Sequence, residues 1–249
     1  MRKLAAICVG IGLISATRAP AFARHARPTG SELISPAATA LVSTPDAVSG
    51  AFNPAIAKSV TFAQLPTLRF SNQNTGAAAQ VRLYDDRGQV DEQEAQKLDA
   101  LLCDTRDPKN WATIALDRRT LQLSVRAAFH FHVNEIAVVS AYRQPGRRRE
   151  GPHAEGRAID FRLPGVAPRL LASYLRTLPR VGVGIYTHPK TGFVHLDDRE
   201  HSFHWLDASP PGRHWRERSI GGRGLALRDA SYSRADDWPE GTTPPPVAL

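Results

Sequence analysis

Cysteine and long hydrophobic runs are both scarce in this 249-residue chain. It has two cysteines, Cys8 and Cys103, and Cys8 lies in an N-terminal segment that we expect to be removed. A single remaining thiol cannot form an intramolecular disulfide, so packing or a bound metal must stabilise the fold. After that segment, no apolar stretch approaches the roughly 20 residues that span a bilayer. The sequence therefore predicts no transmembrane segment in the mature chain.

The chain also lacks the short motifs of several large protein classes. It has no Gly-x-Ser-x-Gly elbow, and Cys103 follows Leu101 and Leu102 in a helical core pattern, so neither a serine nor a cysteine hydrolase is predicted. RNP, zinc-finger and helix-turn-helix signatures are missing too, and no nucleic-acid partner is predicted. Lys and Arg number 32 against 24 Asp and Glu, spread along the chain. This basic balance suits a polyanionic environment such as cell-wall carboxylates.

The first 23 residues have the three parts of an export signal. Arg2 and Lys3 form a basic start, Leu4–Ala16 is apolar, and Ala21–Ala23 has the small-x-small pattern that a signal peptidase requires. Removing this segment takes away three cations and no acid, so the net charge changes from +8 to +8 − 3 = +5. We therefore expect the mature protein to be exported to the periplasm or cell envelope.

Composition divides the remainder into three parts. Residues 24–65 are rich in Ala, Pro, Ser and Thr and are expected to form a flexible spacer. Residues 66–218 carry alternating and helical apolar patterns and are expected to form one α+β domain. Residues 219–249 are rich in Gly, Pro and Ser and are expected to be a disordered tail. No pattern specifies an oligomeric state.

Within the domain, local signals predict a hairpin, three helices and further strands. The hairpin is expected around Asn74–Gly76, and helices are expected to begin near Asp91, Asp117 and Pro168. Further strands are predicted at Ile136–Ser140, Ala158–Phe161, Val181–Tyr186 and Phe193–Asp197. The stretch Ser202–Gly212 has many turn residues and is expected to be an irregular wall beside the site described next.

Two of these segments concentrate metal-ligating side chains. His153, Asp160 and His195 supply the three imidazole or carboxylate ligands that a hydrolytic zinc ion needs. The chain must turn between His153 and Asp160, and Gly156 permits that turn. The period of two along a strand puts His195 and Asp197 on one face, opposite an apolar face. We therefore expect one Zn²⁺ site; the same donor set also suits iron(II).

The order of five motifs, SAYR, HAEGRAID, LPGV, GVGIY and FVHLD, carries a resemblance. It resembles the zinc D-Ala-D-Ala peptidases, which include the van-type dipeptidases and lie near the hedgehog fold, and within them the exported murein endopeptidase K group. The resemblance covers residues 67–215. It implies an α+β fold with a small antiparallel sheet, one zinc ion and cleavage of peptidoglycan stem peptides. It also implies His153, Asp160 and His195 as zinc ligands and Arg143 as a substrate or oxyanion contact.

The sequence departs from that superfamily at the expected proton acceptor. Many relatives have a Glu three residues before the last ligand, or a His two residues before it, and here those positions are Gly192 and Phe193. Asp197 is our first candidate for the general base. Its alternative role is to orient His195 through the other ring nitrogen. His188 and His204 are the second and third candidates.

Three functions remain open at this point. The first is a murein endopeptidase that uses a metal-activated water on peptidoglycan cross-links. The second is a D,D-carboxypeptidase or dipeptidase acting on D-Ala termini, and the third is a non-catalytic wall-binding module with a structural zinc site. Gly182 and Gly184 either admit a peptide along their strand or permit close internal packing. Trp205 and other aromatic residues either line a groove or belong to the core.

Overall fold

The computed structural model of the protein describes residues 59–104, 113–145, 151–213, 215 and 217–243. The export signal and residues 24–58 of the expected spacer lie outside this range. The strands are β1 (Leu68–Asn72), β2 (Ala78–Val81), β3 (Glu135–Ser140), β4 (Ala158–Arg162), β5 (Val181–Tyr186), β6 (Val194–Asp198), β7 (Phe203–Asp207) and β8 (Arg218–Ser219). The helices are α1 (Glu92–Leu101), α2 (Arg118–His130), α3 (Pro168–Leu175) and α4 (Leu225–Ala230), with 3-10 turns at Phe62–Gln64, Gly151–His153 and Arg234–Asp237. None of the helices in these ranges combines the length and apolarity that crossing a bilayer requires.

The local signals produce the predicted hairpin and the three predicted helices. Strands β1 and β2 pair antiparallel. Asp91 caps α1 by accepting hydrogen bonds from the backbone N–H groups of Gln93 and Glu94, at 2.9 and 3.1 Å. Asp117 caps α2 by accepting from the backbone N–H of Thr120 at 2.7 Å. These caps satisfy amide groups that the first turn of a helix leaves without partners.

The sheet is larger and more mixed than the resemblance implied. In the described part of the chain it has eight strands in the order β2-β1-β3-β4-β6-β5-β7-β8. Two neighbouring pairs, β1 with β3 and β5 with β7, are parallel, and the others are antiparallel. The expectation of a small antiparallel sheet is therefore corrected to a large mixed one. The α+β class is retained, because a multi-stranded sheet combines with few helices.

One face of the central strands forms the core with the helices. Ile159 and Phe161 of β4 and Val194 and Leu196 of β6 are buried in one apolar cluster. The same cluster includes the following helix residues: Leu98 of α1, Leu121 and Val125 of α2, and Leu171 and Leu175 of α3. Because side chains alternate along a strand, the intervening residues of β4 and β6 point to the opposite face.

Strand β7 corrects the expectation that 202–212 is irregular. Phe203, Trp205 and Asp207 alternate with His204 and Leu206, which is the period of a strand. The turn-forming prolines follow only after Asp207, so they end the strand without interrupting it. Pairing with β5 then places Trp205 opposite Gly184.

Regular structure is described in parts of the expected spacer and tail. Residues 219–243 include α4 and a 3-10 turn, and Trp238 packs against the buried Phe62 with ring centroids 5.3 Å apart. Asp237 accepts a hydrogen bond from Nε of Arg119 at 2.8 Å. Composition suggested disorder at both ends because Gly, Pro and Ser are frequent. Phe62, Trp238 and Asp237 nevertheless contact partners far away in the sequence, and these contacts connect residues 59–65 and 219–243 to the rest of the fold.

Candidate metal centre

Asp160 and His195 come from two neighbouring strands. In the antiparallel register of β4 and β6, Asp160 lies directly opposite His195. The residues on either side of each are apolar and point into the core, so both polar side chains lie on the other face of the sheet. The strand period thus brings a carboxylate and an imidazole together, as the sequence predicted.

His153 reaches the same place from a short 3-10 turn. Residues 151–153 form this turn, and the chain reverses at Gly156, which has φ +70°. That left-handed conformation favours glycine, and a Cβ at Gly156 would also lie only 3.1 Å from the carbonyl oxygen of Ala115. The turn therefore places His153 over β4, seven residues before Asp160 along the chain.

The three side chains converge on one point. His195 Nδ1 is 2.8 Å from Asp160 Oδ1 and 3.1 Å from His153 Nε2, and the latter is 3.3 Å from Asp160 Oδ1. One ligating atom from each residue lies within 4.8 Å of the other two. All three residues are buried. Such a cluster has the spacing from which donors can surround a single ion.

In each imidazole, the outer nitrogen, which faces away from the cluster, already has a hydrogen-bond partner. His153 Nδ1 lies 2.6 Å from the carbonyl oxygen of Ala141, and His195 Nε2 lies 2.8 Å from Asp197 Oδ2. A neutral imidazole has one N–H, and these oxygens can only accept it. With the N–H at these outer positions, His153 Nε2 and His195 Nδ1 are the nitrogens that would bind a metal, which is the arrangement of metal-binding histidines.

The electrostatics of the cluster favour positive charge between its donors. Burial alone would raise the pKa of Asp160, but His153 and His195 beside it hold that pKa well below its usual range. Burial alone would lower the pKa of His195, but the carboxylates of Asp160 and Asp197 raise it to about 9. Two imidazoles and a carboxylate in this arrangement fit the donor set of a hydrolytic zinc site.

Arg143 lies at the edge of this cluster. Its Nη2 donates to Asp160 Oδ2 at 2.6 Å and lies 3.0 Å from His153 Nε2, while its Nε donates to Ser140 Oγ at 2.9 Å. About a third of the side chain is exposed, so the guanidinium is accessible from solvent. The residue predicted from the SAYR motif is therefore close enough to contact anything bound at the cluster.

Comparison with known proteins gives the family. Residues 61–202, more than half of the chain, match the family model described as peptidoglycan L,D-endopeptidase MepK. The chain belongs to this family. The relatives of that name in Escherichia coli strain K12, Escherichia coli O157:H7 and Shigella flexneri are each 26% identical over 182 residues, covering 66% of this chain and 91% of theirs. No solved structure matches the chain.

Family membership confirms the similarity to the zinc D-Ala-D-Ala peptidase superfamily that the motifs suggested. The matched segment includes the three clustered residues, Arg143 and Asp197, and it ends before β7.

The contacts of Asp197 favour the second of its two expected roles. Asp197 is fully buried and holds the nitrogen of His195 that faces away from the cluster. Arg199 donates to both of its oxygens. Burial alone would raise the pKa of Asp197, but His195 and Arg199 keep it lowered. With both oxygens engaged behind the ring, Asp197 is placed to orient His195, not to accept a proton on the open side.

The other two candidates for a general base lie elsewhere. His204 points to the face of β7 opposite Trp205, where its Nδ1 accepts from Arg176 Nε at 3.3 Å. His188 lies in the turn between β5 and β6, where its Nδ1 accepts from the backbone N–H of Lys190 at 3.2 Å. Neither is hydrogen-bonded to the cluster in the described residues.

Two glycines of β5 explain how the neighbouring side chains fit. A Cβ at Gly182 would lie 2.3 Å from Asp197 Oδ1, and a Cβ at Gly184 would lie 2.6 Å from two carbons of the Trp205 indole. The space above both glycines is thus occupied by this chain's own side chains, which supports internal packing over a peptide lying along β5. Sequence reasoning missed Arg199 and left Trp205 undecided, although the two glycines on one strand face signalled bulky neighbours there.

Proposed function

We propose that this protein is an exported zinc peptidase that hydrolyses peptide cross-links of peptidoglycan. The observation that carries the proposal is the convergence of His153 Nε2, Asp160 Oδ1 and His195 Nδ1 in a member of the peptidoglycan L,D-endopeptidase family. These three residues would hold the metal. A zinc ion in such a site supplies Lewis acidity that activates water and polarises a carbonyl group.

The chain's own residues prepare the site in two ways. Ala141 and Asp197 hold the outward N–H groups of His153 and His195, so both rings keep their inner nitrogens available. Arg143 presents a planar guanidinium beside Asp160, and it would donate hydrogen bonds to a substrate carboxylate or to negative charge that develops on the carbonyl oxygen.

The substrate class rests on the relatives and on charge. The curated relatives are named as peptidoglycan L,D-endopeptidases. The excess of cations in this chain suits a polymer that carries carboxylates. Export rests on the basic, apolar and small-residue pattern of residues 1–23.

The decisive experiment combines metal analysis with a muropeptide digest of the mature chain. We expect one zinc ion per chain and conversion of cross-linked dimers to monomers. His153→Ala and His195→Ala should abolish turnover, and His201→Ala, which changes an exposed histidine, is the matched control. Full activity of His153→Ala and His195→Ala would contradict the proposal.

The same digest separates the two alternatives. Release of D-Ala from free termini without loss of dimers would indicate the carboxypeptidase or dipeptidase. Zinc and sacculus binding without any product would indicate the wall-binding module. One observation favours this module: none of the three expected general bases faces the open side of the cluster.

A further inference from the structure

Trp205 lies beside the metal cluster on the same face of the sheet. Gly184 of β5 pairs with His195 on one side and with Trp205 on the other. The rings of Trp205 and His195 have centroids 5.0 Å apart, and Trp205 is only 6% exposed. The indole is therefore a buried wall of the candidate site.

The orientation of this indole is set by its neighbours. A Cβ at Gly184 would lie 2.6 Å from Cε2 and Cζ2 of Trp205 and 2.9 Å from its Nε1, so the N–H edge of the ring covers the glycine next to His195. The Arg199 guanidinium lies 5.4 Å from the centroid of the ring, and Phe203 stacks with it at 5.8 Å. These contacts hold the ring in one position.

The indole N–H of Trp205 has no acceptor among the residues that the structure describes. An indole nitrogen is a donor only, and leaving a buried donor without a partner costs about 1–3 kcal/mol. Nearly all buried polar groups in native proteins have a partner. Unlike the other buried indole of this kind, Trp238, this ring lies 5.0 Å from that of His195, so an acceptor on a ligand of the cluster is close enough to satisfy its N–H.

We propose that Trp205 is a substrate-contacting residue whose indole N–H donates a hydrogen bond to a peptide oxygen of the substrate bound at the cluster. This inference rests on the proposed function and extends it. In the strand order, Arg143 approaches from the β3 side of the cluster and Trp205 from the β7 side. A peptide bound at the cluster, between Arg143 and the Trp205 ring that covers Gly184, would therefore meet a donor on each side of His153, Asp160 and His195.

The first test removes the N–H and keeps the ring. Replacing Trp205 with benzothienylalanine exchanges the N–H for sulfur, and Trp205→Phe is a simpler second variant. We expect kcat/KM on cross-linked muropeptide dimers to fall roughly 10- to 100-fold, because the peptide oxygen is left buried without its donor. Zinc content and the melting temperature of the benzothienylalanine protein should match those of the unaltered protein.

Trp238→Phe is the matched control. The indole N–H of Trp238 is also buried without an acceptor in the described residues, but its ring packs against Phe62, far along the chain from the cluster residues. We expect this variant to keep the full kcat/KM. If Trp205→Phe and Trp238→Phe lower kcat/KM equally, the effect comes from packing, and the inference is overturned.

The second test follows the indole proton directly in the zinc-loaded protein. The chain has four tryptophans, so a ¹⁵N-labelled sample gives few indole resonances, and the Trp205→Phe variant identifies the one of interest. Saturation with a phosphinate analogue of the cross-link peptide should shift this resonance downfield and leave that of Trp238 in place. No shift at saturation would overturn the inference, even if the substitutions lower activity.

The two proposals fail in different ways. If the unaltered protein cleaves dimers but its Trp205 resonance and the benzothienylalanine kcat/KM stay unchanged, only the role of Trp205 is wrong. If the unaltered protein neither cleaves the dimers nor binds the analogue, the proposed function is wrong, and the role of Trp205 falls with it.

Discussion

At the scale of single residues, the site depends on side chains that would not touch the metal. Asp197 and Arg199 form a buried acid and its cationic partner behind His195. Their effect is to fix which nitrogen of the His195 ring carries the proton and which faces Asp160 and His153. A ligand set alone therefore does not describe this site.

Replacing Asp197 with Ala should weaken zinc binding about 10- to 100-fold, because the ring of His195 loses the acceptor that orients it. Competition with a chromophoric chelator would measure this affinity. Asp236→Ala is a suitable control, because Asp236 is a partly exposed acid of the C-terminal 3-10 turn. Unchanged affinity in Asp197→Ala would contradict the orienting role.

His204 should cause the free energy of unfolding to fall as the pH becomes mildly acidic. Its burial, with Arg176 and Arg228 nearby, lowers the pKa of His204 to about 4, although Asp229 opposes this. Between pH 6.5 and 4 the unfolded chain takes up a proton that the folded chain does not, so stability falls as pH falls. Between pH 7.5 and pH 5, the free energy of unfolding of His204→Gln should fall by about 2 kcal/mol less than that of the unaltered protein.

Urea unfolding at the two pH values checks this expectation. His201→Gln changes an exposed histidine and serves as the control. If the unaltered protein and His204→Gln lose the same free energy of unfolding between pH 7.5 and pH 5, His204 does not titrate as described.

At the scale of elements, strand pairing brings the site together. Strands β4 and β6 place Asp160 and His195 opposite each other by antiparallel register, and β5 pairs with both β6 and β7. The core side of β4 and β6 is apolar and buried, so a slip of one residue in either strand would turn its polar side chain, Asp160 or His195, into the core. The register is therefore strongly specified in β4 and β6, the two strands that carry Asp160 and His195.

Gly184→Ala should destabilise the protein by about 1–3 kcal/mol, because its Cβ would force the Trp205 indole or β5 to move. The free energy of unfolding in urea measures the effect. Gly221→Ala is the matched control, since a Cβ there meets nothing within 4 Å. Equal stability of the two variants would show that the close contact of Gly184 with Trp205 does not constrain the sheet.

At the scale of the described chain, the two ends of the fold are joined to each other. The backbone N–H of Val60 donates to the carbonyl oxygen of Gly241 at 3.0 Å, and that of Thr243 donates to the carbonyl oxygen of Val60 at 3.1 Å. Asp237 also pairs with the mostly buried Arg119 of α2. The C-terminal segment thus contributes to the fold whose other face carries the candidate site.

Removing residues 220–249 should cost at least about 3 kcal/mol of stability, because it leaves Arg119 without one of its carboxylate partners and uncovers Phe62. A shorter deletion of residues 244–249 keeps every contact named here and should leave the melting temperature unchanged. Calorimetry of the two truncated proteins compares them. Similar melting temperatures for both would contradict a structural role for residues 220–243.

The strand period, the helix caps and the turn at Gly156 are local properties, so the sequence alone determined most helices and strands and placed Asp160 and His195 on one face. The motif order indicated the family. The alternation of β7 was present in the sequence, but the turn residues after Asp207 obscured it. The size of the sheet and the structure of residues 219–243 depend on contacts between residues far apart in sequence, which composition does not reveal. The choice between the two expected roles of Asp197 depends on which oxygens Arg199 and His195 engage, and the position of Trp205 over Gly184 depends on the pairing of β5 with β7, so the tertiary structure was needed for both.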